Sequence, residues 1–173
     1  KQVETILQAA LLDKQEVQLN LKRLAAHDLI TAALNNIMLQ VEEKGGTLEV
    51  DMDAANDIIN ADEVHFTNLI NNLLDNAVKY SKENLHIKLV TKSTGNQFKI
   101  KIEDNGIGMN KETVNRIFEK FYRAHTGNVH NVKGFGLGLS YVKTMVAAHH
   151  GTIKAESILG KGSNFCISIP LAK

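Results

Sequence analysis

Asn68, Asn72 and Asn76 stand four residues apart, and Lys79 follows three positions later. On a helix that spacing puts them on one face. Asparagine is a poor helix-interior residue, so a row of them points to a face that meets something polar. A carboxamide oxygen is a hard ligand of the kind Mg²⁺ accepts, and a lysine beside it offsets phosphate charge. A solvated polar face is the plain alternative. Asp104-Asn105-Gly106-Ile107-Gly108-Met109 follows an apolar run carrying Ile100 and Ile102. A carboxylate at a strand end can accept a hydrogen bond from the exocyclic amine of adenine, and glycines beside it let backbone approach a flat base. Taken singly, the segment also reads as an ordinary strand–turn. Gly134-Phe135-Gly136-Leu137-Gly138-Leu139 runs into a helical pattern. Its glycines free backbone N–H groups for phosphate oxygens, and a helix N-terminus adds partial positive charge. The spacing is neither the dinucleotide fingerprint nor a P-loop.

Two further segments complete the set. Phe118-Glu119-Lys120-Phe121-Tyr122-Arg123 lies between the two glycine stretches. Its Phe118 and Phe121, three apart, read alone as core. Gly160-Lys161-Gly162-Ser163-Asn164-Phe165 reads alone as a hairpin turn.

Periodicity supplies the elements that must position these residues. Val3, Ile6, Leu7, Ala10 and Leu11 recur at helical spacing. Val17, Leu19 and Leu21 alternate with polar residues and predict a strand. Leu29 to Val41 forms a helix face stopped by Gly45-Gly46, and Leu48, Val50 and Met52 predict a second strand. Asp62 to Tyr80 is the next helix. Strands are expected over 85–91 and 97–103, joined by a Gly95-Asn96 turn. A short helix is expected over 111–118, a mobile loop over 123–134 and a helix over 136–150. Strands over 152–157 and 164–169 close the chain, with Pro170 at an end where it breaks no ladder. Hairpins mixed with helices predict an α+β fold: a two-layer α/β sandwich with a mixed sheet of about five strands and three main helices.

The chain of 173 residues suits one domain with a short extra arm, and 43% hydrophobic with 23% charged residues is ordinary globular composition. A net charge of +1 argues against a nucleic-acid binder. Cys166 is the only cysteine, so no intrachain disulfide forms. No apolar run reaches the roughly 20 residues that span a bilayer. Without an initiator methionine, the chain is expected to be a fragment of a longer protein.

In this order, the segments resemble the ATP-binding domain of sensor histidine kinases, within the superfamily that includes gyrase, MutL and the heat-shock chaperone ATPase. The stretch 72–81 resembles the N box, 104–109 the first glycine box, and 118–123 the F box. The second and third glycine boxes resemble 134–139 and 160–165. The resemblance covers about Val17 to Leu171 and implies the Bergerat ATP-binding fold, with ATP and Mg²⁺ as cofactors. It makes residues 14–173 the catalytic domain and 1–13 the last turns of a dimerisation and phosphoacceptor helix. It implies that Asn76 coordinates Mg²⁺ with Asn72 beside it, and that Lys79 and Tyr80 lie near phosphate or ribose. Asp104 would read adenine, with Gly106, Gly108 and Met109 alongside. Phe118, Lys133, Gly134, Gly136, Leu137, Gly138, Leu139 and Ser163 would complete the nucleotide site. Arg123 would reach the γ-phosphate and, with Asn72, act in catalysis. Residues 124–133 would be a lid, poorly ordered without nucleotide. Ser163 stands where the family more often has threonine, and the hydroxyl is kept.

Hydrolysing branches of the superfamily place a glutamate where this chain has Asn72, which cannot act as a base. Such a site suits transfer to another nucleophile, in this family a histidine on the dimerisation hairpin. The implied partners are that hairpin, through which the parent forms a homodimer, and a response regulator. The implied setting is the cytoplasm, with the parent anchored in the bacterial inner membrane and no membrane contact by this part. His27-Asp28 looks like an acceptor motif but falls too close to the N box, and it reads as a helix start. The seven histidines form no convincing metal set. An anti-sigma-type serine kinase shares the box order, and a nucleotide-sensing module without catalysis is the third reading.

Overall fold

The computed structural model describes residues 17–124 and 134–173. In chain order the elements are β1 (Lys22–Ala25), α1 (Ala26–Glu43), β2 (Thr47–Met52), β3 (Ile58–Ala61), α2 (Glu63–Lys79) and β4 (His86–Thr94). Then come β5 (Gln97–Asp104), α3 (Lys111–Arg116), α4 (Gly138–Ala148), β6 (Thr152–Ile158) and β7 (Gly162–Pro170). The large sheet has five strands in the order β2-β4-β5-β7-β6, and β1 pairs with β3 in a separate ribbon. Within the large sheet β2–β4 is parallel and the remaining pairs are antiparallel. This is the mixed sheet that the order of hairpins and helices predicts.

Side-chain alternation decides which face of the sheet is covered. Ile87 and Leu89 on β4, Phe98, Ile100 and Ile102 on β5, and Phe165, Ile167 and Ile169 on β7 are all buried. Their period of two places them on one face. Onto it pack helix stripes at i, i+3 and i+4, including Phe66, Leu69, Ile70, Leu73, Leu74 and Ala77 of α2. Those of α1 and α4 join the same core. The result is two layers with helices on one side of the sheet.

The ends of α2 matter most for the site. Asp62 caps its start: Oδ1 accepts from the Val64 and His65 N–H groups at 3.1 Å, and Oδ2 accepts from the Asn20 N–H at 2.9 Å. At its far end, Lys44 Nζ donates to the Val78 carbonyl at 3.1 Å and to Ser81 Oγ at 3.0 Å. The C-terminus of α1 stops at the glycine pair as expected, with Gly45 at φ 61° and the Gly46 N–H returning to the Val41 carbonyl at 2.9 Å.

One expectation is corrected, and one strand was not anticipated. The strand expected at Val17–Leu21 is absent, and the strand begins at Lys22. Val17 and Leu19 do pack against the core, but the Asn20 N–H goes to Asp62 rather than to a ladder. The alternation reflects packing, not pairing. The four-residue strand β3 gave no alternation to read and exists by pairing with β1. The helix expected in residues 1–13, and residues 125–133 of the expected loop and lid, lie outside the described residues.

Candidate functional site

The last turns of α2, the β5–α3 connection, the start of α4 and the first residues of β7 converge on one cavity of about 880 Å³. That volume suits a small organic ligand. Its wall includes Asn72, Asn76, Lys79, Tyr80, Asp104, Gly108, Met109, Arg123, Gly134, Gly136, Leu137, Gly138, Leu139 and Ser163. Residues far apart in sequence are thus brought together on one wall. Gly106 and Phe118 stand behind the wall. A Cβ on Gly106 would lie 2.4 Å from the Tyr80 carbonyl oxygen. Phe118 packs edge-on against Phe165, with ring centroids 6.4 Å apart. Lys133 lies outside the described residues.

Asp104 defines one end. It closes β5 directly opposite Ser163 of β7. Its Oδ1 accepts from the Gly106 N–H at 2.8 Å. Burial pushes its pKa up, and N–H groups of Gly106 and Ser163 hold it down in part. The desolvated carboxylate keeps acceptor capacity for one more donor. Backbone clasps hold the glycines around it. Ile107 N–H donates to the Tyr80 carbonyl at 3.0 Å, and Gly160 N–H to the Ile107 carbonyl at 2.7 Å. Met109 N–H donates to Ser157 Oγ at 2.7 Å. Gly108 has φ 64°, and a Cβ there would sit 2.0 Å from the Ile158 carbonyl oxygen. No other residue lets the two turns approach this closely.

The other end is built for an anion. α4 begins at Gly138 with no side-chain cap, whereas α2 and α3 are capped by Asp62 and Asn110. Its first N–H groups have no intrahelical acceptor and no side-chain cap among the described residues, and the helix dipole favours negative charge there. Asn72 Nδ2 donates to the Asn68 carbonyl at 2.8 Å. That turns Asn72 Oδ1 toward α4, 2.9 Å from where a Cβ on Gly138 would stand. The Lys79 ammonium reaches across to Gly134, 3.1 Å from its would-be Cβ. Gly136, at φ 72°, lies against the backbone of Phe121 and Tyr122, and its carbonyl accepts from the Phe121 N–H at 3.0 Å. Burial raises the Tyr80 pKa, and the Arg123 charge opposes that shift; both residues line the cavity.

Sequence reasoning missed several wall residues. Asn36 and Gln40 of α1, with Asn71 and Asp75 of α2, extend the polar wall beyond Asn72. Asn36 Nδ2 meets Asn71 Oδ1 at 3.4 Å. The carboxamides of α1 were the available signal, since they repeat at helical spacing beside an apolar stripe. Ile117, Tyr122 and Phe165 also line the wall, and their types alone look like core.

Residues 61–173 match the profile of the histidine kinase-, DNA gyrase B-, and HSP90-like ATPase family. The sensor protein RprX of Bacteroides fragilis (strain YCH46) is 49% identical over 174 residues, covering 99% of this chain and 34% of that protein. The sensor protein kinase WalK of Staphylococcus aureus is 30% identical over 170 residues, covering 97% of this chain and 40% of that protein. The chain thus spans well under half the length of these curated relatives. Full-length ShkA, solved in complex with AMPPNP, has a TM-score of 0.84 at 26% identity, covering 99% of this chain and 35% of that one. Histidine kinase ThkA, solved in complex with response regulator protein TrrA, has a TM-score of 0.79 at 21% identity, covering 98% of this chain and 47% of that one. At that identity it shows a shared fold.

Proposed function

Because the chain belongs to the histidine kinase-, DNA gyrase B-, and HSP90-like ATPase family, as the ATP-binding catalytic domain of a two-component sensor histidine kinase, we propose that it binds Mg²⁺-ATP and donates the γ-phosphoryl group to a histidine. The observation that carries this reading is one cavity with two unlike ends. A half-buried carboxylate with spare acceptor capacity faces one end, and a helix N-terminus without a side-chain cap, with a lysine beside it, faces the other.

The residues present fit both groups. Glycines at 134, 136 and 138 leave room that a Cβ would fill, and Asn76 and Asn72 offer carboxamides on the same wall. When bound, Mg²⁺-ATP supplies the transferable phosphoryl group and the cation that neutralises its charge. Asn76 would hold the cation, with Asn72 beside it. Asp104 would orient adenine, with Gly108, Met109 and Ser163 alongside. Lys79, Arg123 and the N–H groups of α4 would neutralise phosphate charge. Catalysis then rests on positioning and electrostatics rather than on covalent help from the protein.

Asn72 supports transfer over hydrolysis. Its amide is spent on Asn68 and its oxygen faces α4, and a carboxamide cannot take a proton from water. The acceptor would be a histidine on a dimerisation hairpin, with residues 1–13 as the end of its second helix and residues 14–173 as the catalytic domain. A response regulator would take the phosphoryl group onward, as the ThkA–TrrA complex supports by analogy. No helix among the described residues is long and apolar enough to cross a membrane. A cytoplasmic domain of a membrane-anchored parent is the reading consistent with sensor-protein relatives.

Titration of a fluorescent ATP analogue with and without Mg²⁺ tests binding, and its absence in both conditions would sink the reading. Transfer is tested with γ-labelled ATP and a protein that includes the hairpin. Label appearing as an acid-labile, base-stable phosphohistidine is expected. Phosphoserine instead would move the chain to the serine-kinase reading.

A further inference from the structure

The face of the sheet away from the helices has no role in the nucleotide site. Its side chains follow from strand register. Lys92 of β4 stands directly opposite Lys99 of β5. Lys101 of β5 and Lys154 of β6 both pair with Cys166 of β7, one from each side. All four lysines line one open depression. Like charges placed directly opposite cost a sheet stability. Here the like pair involves β5, the central strand. Lys101 is paired with Glu103, but Lys92, Lys99 and Lys154 make no ion pair among the described residues.

We propose that this face docks an acidic segment of a partner protein across Lys92, Lys99, Lys101 and Lys154. Charge complementarity sets the class of occupant, and the surroundings set its shape. Asp51 and Asp53 border the strip on the β2 side. Glu103 and Glu156 both stand opposite Asn164, one row nearer the nucleotide site. A planar anionic bilayer or a nucleic-acid backbone would press phosphates onto these acids as well as onto the lysines. An extended peptide presents side chains on one side at every second residue, about 6.6 Å apart. Lys99 and Lys101 share that spacing on one strand. Such a segment can place carboxylates over the lysines and neutral residues near the acids.

The test is fluorescence anisotropy of a short fluorescein-labelled peptide of alternating glutamate and serine, with the whole chain. Saturable binding that weakens with added salt is expected. Lys92→Glu/Lys99→Glu should weaken it about ten-fold or more, and the milder Lys92→Gln/Lys99→Gln should weaken it in the same direction. Lys22→Glu/Lys111→Glu changes net charge equally on other surfaces and should have little effect. All three variants should bind the fluorescent ATP analogue as the parent does, which separates this proposal from the nucleotide reading. Three results would overturn it: no saturable binding, equal weakening in the charge-matched control, or displacement of the peptide by phosphatidylglycerol vesicles or single-stranded oligonucleotide at lower concentrations than unlabelled peptide.

Discussion

Asp104 carries a charge that the folded chain stabilises poorly. Burial raises its pKa above the ordinary 3.8, and the Gly106 and Ser163 N–H groups recover only part of the loss. A group whose folded pKa is raised contributes stability below its unfolded pKa and loses it as pH rises through the folded value. At neutral pH the carboxylate is therefore a cost that a bound donor would relieve. Asp104→Asn should leave the melting temperature unchanged within a few degrees or raise it, while ATP affinity falls on the order of ten-fold or more, as for a lost hydrogen bond to a charged group. Nucleotide affinity of the parent should also fall as pH drops toward the raised pKa, because a protonated carboxyl loses acceptor capacity. Titrations of both chains across mildly acidic pH check this, and a pH-independent affinity would remove Asp104 from adenine recognition. The carboxylate after an apolar strand was readable in the sequence. Which asparagine of the row does what was not. Asn72 spends its amide on the Asn68 carbonyl and turns its oxygen toward Gly138 of α4, a neighbour that comes from folding and that spacing does not reveal.

Elements meet at this site through glycines that are not equivalent. Gly160 has φ 82° with nothing near its would-be Cβ, whereas Gly162 has φ 124° and its Cβ would lie 1.9 Å from the Asp104 carbonyl oxygen. Gly160→Ala should cost about 1–2 kcal/mol, the penalty for left-handed backbone. Gly162→Ala should cost more than about 4 kcal/mol, because the β6–β7 hairpin must move off the end of β5. Urea denaturation of the two variants separates these cases, and equal losses would mean the turn relaxes freely. The α2–α4 junction makes a different prediction. Buried His149 donates from Nδ1 to the Met145 carbonyl at 2.7 Å, and its Nε2 accepts from the Asp62 N–H at 3.1 Å. Burial lowers its pKa below 6.5. A base with a lowered folded pKa contributes stability above the unfolded value and loses it as pH falls through the folded one. Melting temperature should therefore drop as pH falls below 6.5, and the gap between parent and His149→Ala should narrow over the same window. A constant gap would show that His149 does not titrate there. Long periodic elements such as α1 and α2 were legible in the sequence. β1 and β3 were not, because four-residue strands take their identity from each other rather than from a pattern.

The whole molecule is tied together around the cavity. Asp104 and Ser163 lie 59 positions apart in sequence (163 − 104) and share one rung of the β5–β7 ladder. Asn72 Oδ1 faces Gly138 across two helices. A ligand in the cavity contacts all these elements at once, so its binding energy stabilises the fold as a unit by mass action. At a ligand concentration of a hundred times Kd the gain is about 2.7 kcal/mol. For a chain of this size that corresponds to a rise in melting temperature of roughly 5–10 °C. ATP with Mg²⁺ should give the full rise, and chelation of Mg²⁺ by EDTA should remove most of it. Asn76→Ala should melt like the parent without ligand and show no difference between ATP with and without Mg²⁺. Differential scanning fluorimetry in those conditions distinguishes the outcomes. If Asn76→Ala already melts far below the parent in the absence of nucleotide, the asparagine is part of the packing between α2 and its neighbours. The cation would then need another ligand on the same wall.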